Sequence, residues 1–174
     1  TPDIQEFLIL PYGAETFLEA AAANTQIHRR IGDTLKKKDK LFGGGRSDEG
    51  AWIANIGDLE ALEVLADACE EVSNELGFEC CLGADIAASS LWNTKKKTYV
   101  YKSEEKRRDS GEQLEFISGL IKKYHLVYVE DPFHEEDFKG FTKLTKKVKN
   151  CLICGDDLFV TNSERLSRGI KLGA

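Results

Sequence analysis

The sequence contains no methionine, only three prolines and only two tryptophans in 174 residues. Without a methionine, Thr1 is not a translational start, so the chain reads as a fragment, a processed product or a designed piece of something longer. No apolar run approaches the ~18 residues that a membrane-spanning helix needs, which excludes that reading. Thr1-Pro2-Asp3 offers neither the basic region nor the apolar core of a signal peptide. An excess of positive charge is missing too: 24 Lys and Arg stand against 30 Asp and Glu, a net charge of −6. Nucleic acid and anionic membrane are therefore poor candidate partners. Lys36-Lys37-Lys38-Asp39-Lys40 and Lys95-Lys96-Lys97 are local exceptions, read as a helix end and the tip of a hairpin. Zinc spacing is lacking as well. Cys151 and Cys154 form one C-x-x-C, with no second pair and no histidine at zinc spacing. The cysteines are read as reduced core thiols of a cytoplasmic protein, with Cys80, Cys81, Cys151 and Cys154 in buried strands.

What is present is an ordinary globular balance, 41% hydrophobic and 31% charged, long enough for one domain with a sizeable core. Strand and helix signals alternate along it. Ile4 to Leu10 reads as a strand and Ala14 to Lys37 as a helix. Phe42 to Gly50 is Gly-rich and reads as a mobile loop. Asp58 to Leu76 has helical periodicity, with Asp58 as expected N-cap and Gly77 as the stop. Phe78 to Asp85 is a strand, Trp92 to Lys102 a hairpin, and a helix starts at Asp109 or Ser110. Leu126 to Glu130 and Cys151 to Asp156 are strands around a helix from Asp137 to Val148, and Thr161 or Asn162 opens a last helix. Such alternation with short connections is the grammar of βα units, an α/β fold.

Three of these strands end alike. Cys80-Cys81-Leu82-Gly83-Ala84 runs into Asp85, Leu126-Val127-Tyr128-Val129 into Glu130, and Cys151-Leu152-Ile153-Cys154-Gly155 into Asp156. The C-terminal ends of parallel strands are where barrel and open-sheet enzymes keep their sites. Strands lie ~4.8 Å apart, so carboxylates on neighbouring ends can converge on one divalent cation. Pro132 is expected to hold Asp131 extended and end its strand abruptly. Glu6, interrupting an apolar strand, is expected to face inward, where a carboxylate is costly unless paired or functional. Glu49 lies in the Gly-rich loop, which could fold over a substrate.

Five segments in order then resemble motifs of the enolase family: Asp3-Ile4-Gln5-Glu6-Phe7, Ser47-Asp48-Glu49-Gly50, Gly83-Ala84-Asp85, Val129-Glu130-Asp131-Pro132-Phe133 and Gly155-Asp156-Asp157-Leu158-Phe159-Val160-Thr161-Asn162. The resemblance implies a (β/α)8-type enolase barrel, of which residues 1–174 are part of the C-terminal barrel domain. The N-terminal capping domain and the last barrel strands lie outside it. It implies a lyase that dehydrates 2-phosphoglycerate to phosphoenolpyruvate in glycolysis with Mg2+. Asp85, Glu130 and Asp156 would be the metal ligands, with Glu130 and Asp156 also facing the substrate. Glu49 and Glu6 would be catalytic, helping the 3-hydroxyl leave as water, with Glu6 and Gln5 also binding substrate. The lysine base would lie beyond Ala174, so this stretch alone is expected to be inactive and prone to self-association through unpaired sheet edges. The full-length parent is expected to be a cytoplasmic homo-oligomer. The loop departs from the family's G-D-E-G-G-aromatic-Ala-Pro, reading Ser47-Asp48-Glu49-Gly50-Ala51-Trp52-Ile53-Ala54. Two alternatives accompany this reading. One is another superfamily member abstracting a proton beside a different carboxylate; the other is an inactive enolase-derived module.

Overall fold

A computed structural model describes residues 1–174. The chain divides into two compact units, Thr1–Pro2 with Glu6–Gly83 and Asp3–Gln5 with Ala84–Ala174. In the first unit, strand β1 (Glu6–Leu10) leads to helix α1 (Phe17–Lys38), helix α2 (Asp58–Leu76) and the start of strand β2 (Cys81–Asp85). Thr16 and Glu19 close a reciprocal capping box at the head of α1, and three lysines fill its last turn. Both features oppose the unpaired N–H and C=O groups of the helix ends. Ala23, Ile27, Ile31 and Leu35, spaced one turn apart, are buried on one face. That face packs on α2, where Ala61, Leu62, Leu65, Ala68, Cys69 and Val72 are buried. Arg30 bridges to Glu71 and Glu75 of α2, each at 2.9 Å, along the rim of this contact. Asp58 is not the N-cap of α2. Gly57 takes the extended cap conformation, and Asp58 becomes the first helical residue, still placed to favour the positive end of the dipole. Gly77 ends α2 as expected, left-handed at φ 76°.

The second unit holds the end of β2, then β3 (Trp92–Asn93), β4 (Thr98–Tyr101), β5 (Lys106–Arg108), α3 (Ser110–Tyr124) and β6 (Tyr128–Glu130). It continues with α4 (Phe138–Lys147), β7 (Leu152–Cys154), α5 (Asp156–Phe159) and α6 (Ser163–Leu172). β1 borders β2 in the first unit; β2, β6 and β7 follow in that order in the second. β6 and β7 run parallel, with Glu130 opposite Cys154. These four strands are the four apolar runs of the sequence. Cys151-Leu152-Ile153-Cys154 was expected to be a buried apolar strand, yet Leu152 is 72% exposed. β7 is last in the strand order, so only one of its flanks is paired.

The hairpin expected at Trp92–Lys102 forms, with Trp92 opposite Tyr99, but it gains a third antiparallel strand, β5. A run as charged as Lys106-Arg107-Arg108 carries no strand signal. Arg108 nevertheless turns inward, its guanidinium 4.1 Å from the Tyr101 ring centre and 3.8 Å from that of Phe116. Aromatic faces accept a flat cation where an alkyl core would not. Arg108 also donates to Glu104 at 2.8 Å, and Lys106 adds a second cation at 3.1 Å. Burial alone would raise the Glu104 carboxyl; the Arg108 and Lys106 partners outweigh it and hold it below the usual range.

A lowered carboxyl in the folded state contributes stability above its unfolded value of ~4.3 and loses it as pH falls through the folded value. Glu104→Gln should therefore cost up to ~1 kcal/mol at pH 7, the scale of a partly screened pair. Urea unfolding should show that deficit shrinking below about pH 4, near the unfolded value. A deficit of equal size at pH 7 and pH 3 would refute the ion-pair account.

Candidate metal centre

β2 and β6 deliver two of the expected ligands at their C-terminal ends, Asp85 and Glu130. The backbone that follows is stitched across the strands. Ile86 N–H donates to the Glu130 carbonyl, Ala88 N–H to the Asp131 carbonyl and Asp131 N–H to the Cys154 carbonyl, each at 3.0 Å. Asp85, Glu130 and Asp131 thereby bring one carboxylate oxygen each to within 4.8 Å of one another. Asp85 Oδ1 accepts the Ala87 N–H at 2.9 Å. Glu130 Oε2 accepts the Tyr128 hydroxyl at 2.6 Å. Burial, with Cys154 and Glu130 adding to it, raises the Tyr128 phenol and keeps it a donor.

Asp131 differs most from its expected part. It was read as extended ahead of Pro132, but its φ is 38°, in the left-handed region. Its N–H, its carbonyl and its Oδ2 are all engaged, the last by Asp157 N–H at 2.9 Å, and these bonds override the local preference. The residue is 3% exposed, and its Oδ1 has no hydrogen-bond partner. Burial pushes its carboxyl up to about 6, against the Asp157 N–H that favours the charged form.

Asp156 opens α5 one residue after Gly155 and is exposed. It stands outside the group of mutually close oxygens. It is nonetheless in the same neighbourhood. The Cys154 thiol is raised first by burial and then by Glu130, Asp131 and Asp156 together. Gln5 also belongs to the second unit and is exposed. Sequence reasoning missed two residues here. Tyr128 could have been found from strand alternation, because it shares a face with Glu130 two residues on. The inward turn of Asp131 has no local signal, since it is set by bonds to Ala88, Cys154 and Asp157.

In the first unit, Glu6 opens β1 and is half-buried, and Glu49 sits exposed in a turn. That turn is a fastened one. Ser47 N–H donates to the Ala51 carbonyl at 2.9 Å, and Arg46 bridges Trp52 in antiparallel register. Gly50 alone supplies the positive φ, at 84°, so Ala51 is spared it. Trp52 locks the turn onto α1. Its ring stacks on His28 at 4.6 Å, its Nε1 donates to the His28 carbonyl at 2.7 Å, and His28 Nε2 donates to the Gly50 carbonyl at 3.0 Å.

An α/β chain that gathers its carboxylates at strand ends in this way has the layout of a βα-barrel domain. The family model for the enolase C-terminal TIM barrel domain matches residues 1–174, so the chain belongs to the enolase family and carries part of that barrel. It is similar to the enolase of Methanothermobacter thermautotrophicus, 50% identical over 174 residues, which cover 99% of this chain and 42% of that protein. The enolase of Pyrobaculum aerophilum is 53% identical over 173 residues, 99% of this chain and 41% of that protein. The enolase of Archaeoglobus fulgidus is 44% identical over 171 residues, 98% and 41%. The chain thus spans about two fifths of the length of these relatives.

The seat of Trp52 is Gly32, where an added Cβ would lie 2.7 Å from Trp52 Cζ2. Gly32→Ala should destabilise the protein by ~1–3 kcal/mol, the usual cost of overpacking. Gly119→Ala, in open space on α3, should instead be neutral or stabilising by ~0.5–1 kcal/mol. Urea unfolding of the two variants side by side decides it, and equal effects would mean that Trp52 is not held at Gly32.

Proposed function

We propose that this chain forms the metal-binding part of an enolase that dehydrates 2-phosphoglycerate to phosphoenolpyruvate, as a cytoplasmic, glycolytic homo-oligomer. The observation that carries the reading is the convergence of Asp85 and Glu130 at adjacent strand ends, in a chain of this family. The donor set fits Mg2+, a hard cation that takes carboxylate oxygens and shares them with an anionic substrate. The buried, unpartnered Oδ1 of Asp131 supports the fit, because so negative a pocket favours a cation. Asp85, Glu130 and Asp156 would hold the ion. Bound there, it would supply positive charge where negative charge develops as a proton leaves the carbon beside the substrate carboxylate.

The chain's own residues orient the ligands, bind substrate and supply the acid. Tyr128 fixes one oxygen of Glu130, so that carboxylate presents its other oxygen in a defined direction. Ala87 N–H does the same for Asp85. Glu49 hands a proton to the departing 3-hydroxyl, which leaves as water, and Glu6 shares that acidic role. Gln5 binds the substrate by hydrogen bonding. A hydroxide is a poor leaving group, so protonation in step with C–O cleavage is what such an acid contributes.

Two measurements in the full-length enzyme test the two halves separately. Isothermal titration of Glu130→Ala should show Mg2+ affinity reduced at least ~10-fold, and unchanged affinity would sink the metal assignment. Glu49→Gln should lower kcat by ~10²–10⁴-fold, the range of an acid–base group, while leaving Mg2+ affinity in place. A near-normal rate would return Glu49 to the rank of an ordinary loop acid.

A further inference from the structure

We infer that Asp131 is a positioning residue that clasps the three ligand-bearing segments into one register. The inference rests on the metal reading above and assigns a part to a residue which that reading leaves without one. The polar links of Asp131 reach both of the other ligand segments. Its carbonyl accepts the Ala88 N–H, three residues after Asp85. Its own N–H donates to the Cys154 carbonyl at the end of β7. Its Oδ2 accepts the Asp157 N–H at 2.9 Å, next to Asp156 on α5. The residue itself follows Glu130 directly.

The side-chain link is the one that local structure does not supply. Strand pairing already joins β6 to β7 through Glu130 and Cys154. Past Gly155 that pairing ends, and the Asp131 carboxylate alone extends the stitching to the backbone beside Asp156. Its burial at 3% exposure removes water as a competitor for the Asp157 N–H. Carboxylates that orient ligands in this way change metal affinity without touching the ion.

A clasp needs an acceptor oxygen, whereas a further ligand needs a charge, and the two substitutions Asp131→Ala and Asp131→Asn separate these. Asparagine keeps a carbonyl oxygen for the Asp157 N–H, and its NH2 can donate towards the neighbouring carboxylates of Asp85 and Glu130. In the full-length enzyme, titration with Mg2+ alone should show Asp131→Ala weakened ~10–100-fold and Asp131→Asn within ~3-fold of the unaltered protein. The EPR line shape of bound Mn2+ should change in Asp131→Ala and be restored in Asp131→Asn. Should Asp131→Ala fail to fold, Asp131→Glu takes its place, since it keeps the charge but displaces the acceptor, and it should bind Mg2+ ~10-fold more weakly. Unaltered affinity in Asp131→Ala or Asp131→Glu overturns the clasp, as does an Asp131→Asn variant as weak as Asp131→Ala. Glu130→Gln serves as the control: unaltered affinity there removes the metal reading itself, whatever Asp131 does.

Discussion

Like charges held close together, one of them buried, set the terms for everything at the strand ends. Two unit charges ~4.8 Å apart repel by about 3 kcal/mol at the effective dielectric of a protein site. The oxygens of Asp85, Glu130 and Asp131 lie within 4.8 Å of one another, so the group does not hold itself together. Each carboxylate is instead offered a donor: Ala87 N–H for Asp85, the Tyr128 hydroxyl for Glu130, Asp157 N–H for Asp131. Two of those donors are backbone, placed only if the loops after β2 and β7 take one conformation. The demand for fixed donors thus reaches from the site into the chain trace.

That trace explains what the sequence could and could not reveal. Helices were legible because their signals are local. Asp109 with Glu112 is a reciprocal cap three residues apart, and Asn162 accepts the Glu164 and Arg165 N–H groups; the first helix was expected from Ala14 but starts at Phe17, after the Thr16 cap. The four sheet strands were legible as apolar runs, three of which stop at an acid. β5 was not, because Arg108 owes its burial to Tyr101 and Phe116, residues whose rings only the fold brings beside it. The exposure of Leu152 was equally hidden, since an apolar run says nothing of whether both flanks of its strand are paired. Within the site, Asp85 and Glu130 were readable from position alone. Asp131 was misread by a rule about the residue before proline, which three non-local hydrogen bonds overrule.

The thiols show the same division between local pattern and context. Burial raises Cys69 to about 12 and Cys81 to about 11, consistent with inert core sulfur. Cys154, half-buried on β7, is raised by burial and by the acids around it. Negative surroundings make a thiolate harder to form, so the carboxylates that would attract a cation also keep this sulfur unreactive.

Strain is distributed by the same logic. Seven residues other than glycine have positive φ, and four of them, Ala87, Asp131, Val160 and Thr161, fall within a few residues after Asp85, Glu130 and Asp156. Lys97, Glu105 and His125 are accounted for by turns and a helix end. Left-handed backbone at such residues costs ~1–3 kcal/mol each and persists only where the surroundings over-determine it. At Asp131 the surroundings are visible: Ala88, Cys154 and Asp157 each hold it by a hydrogen bond. At Ala87 the N–H is held by Asp85 itself, so relaxing the backbone would release the carboxylate. The strained positions and the candidate ligands are therefore one mechanical unit, in which the geometry of the acids cannot loosen without breaking bonds to the main chain.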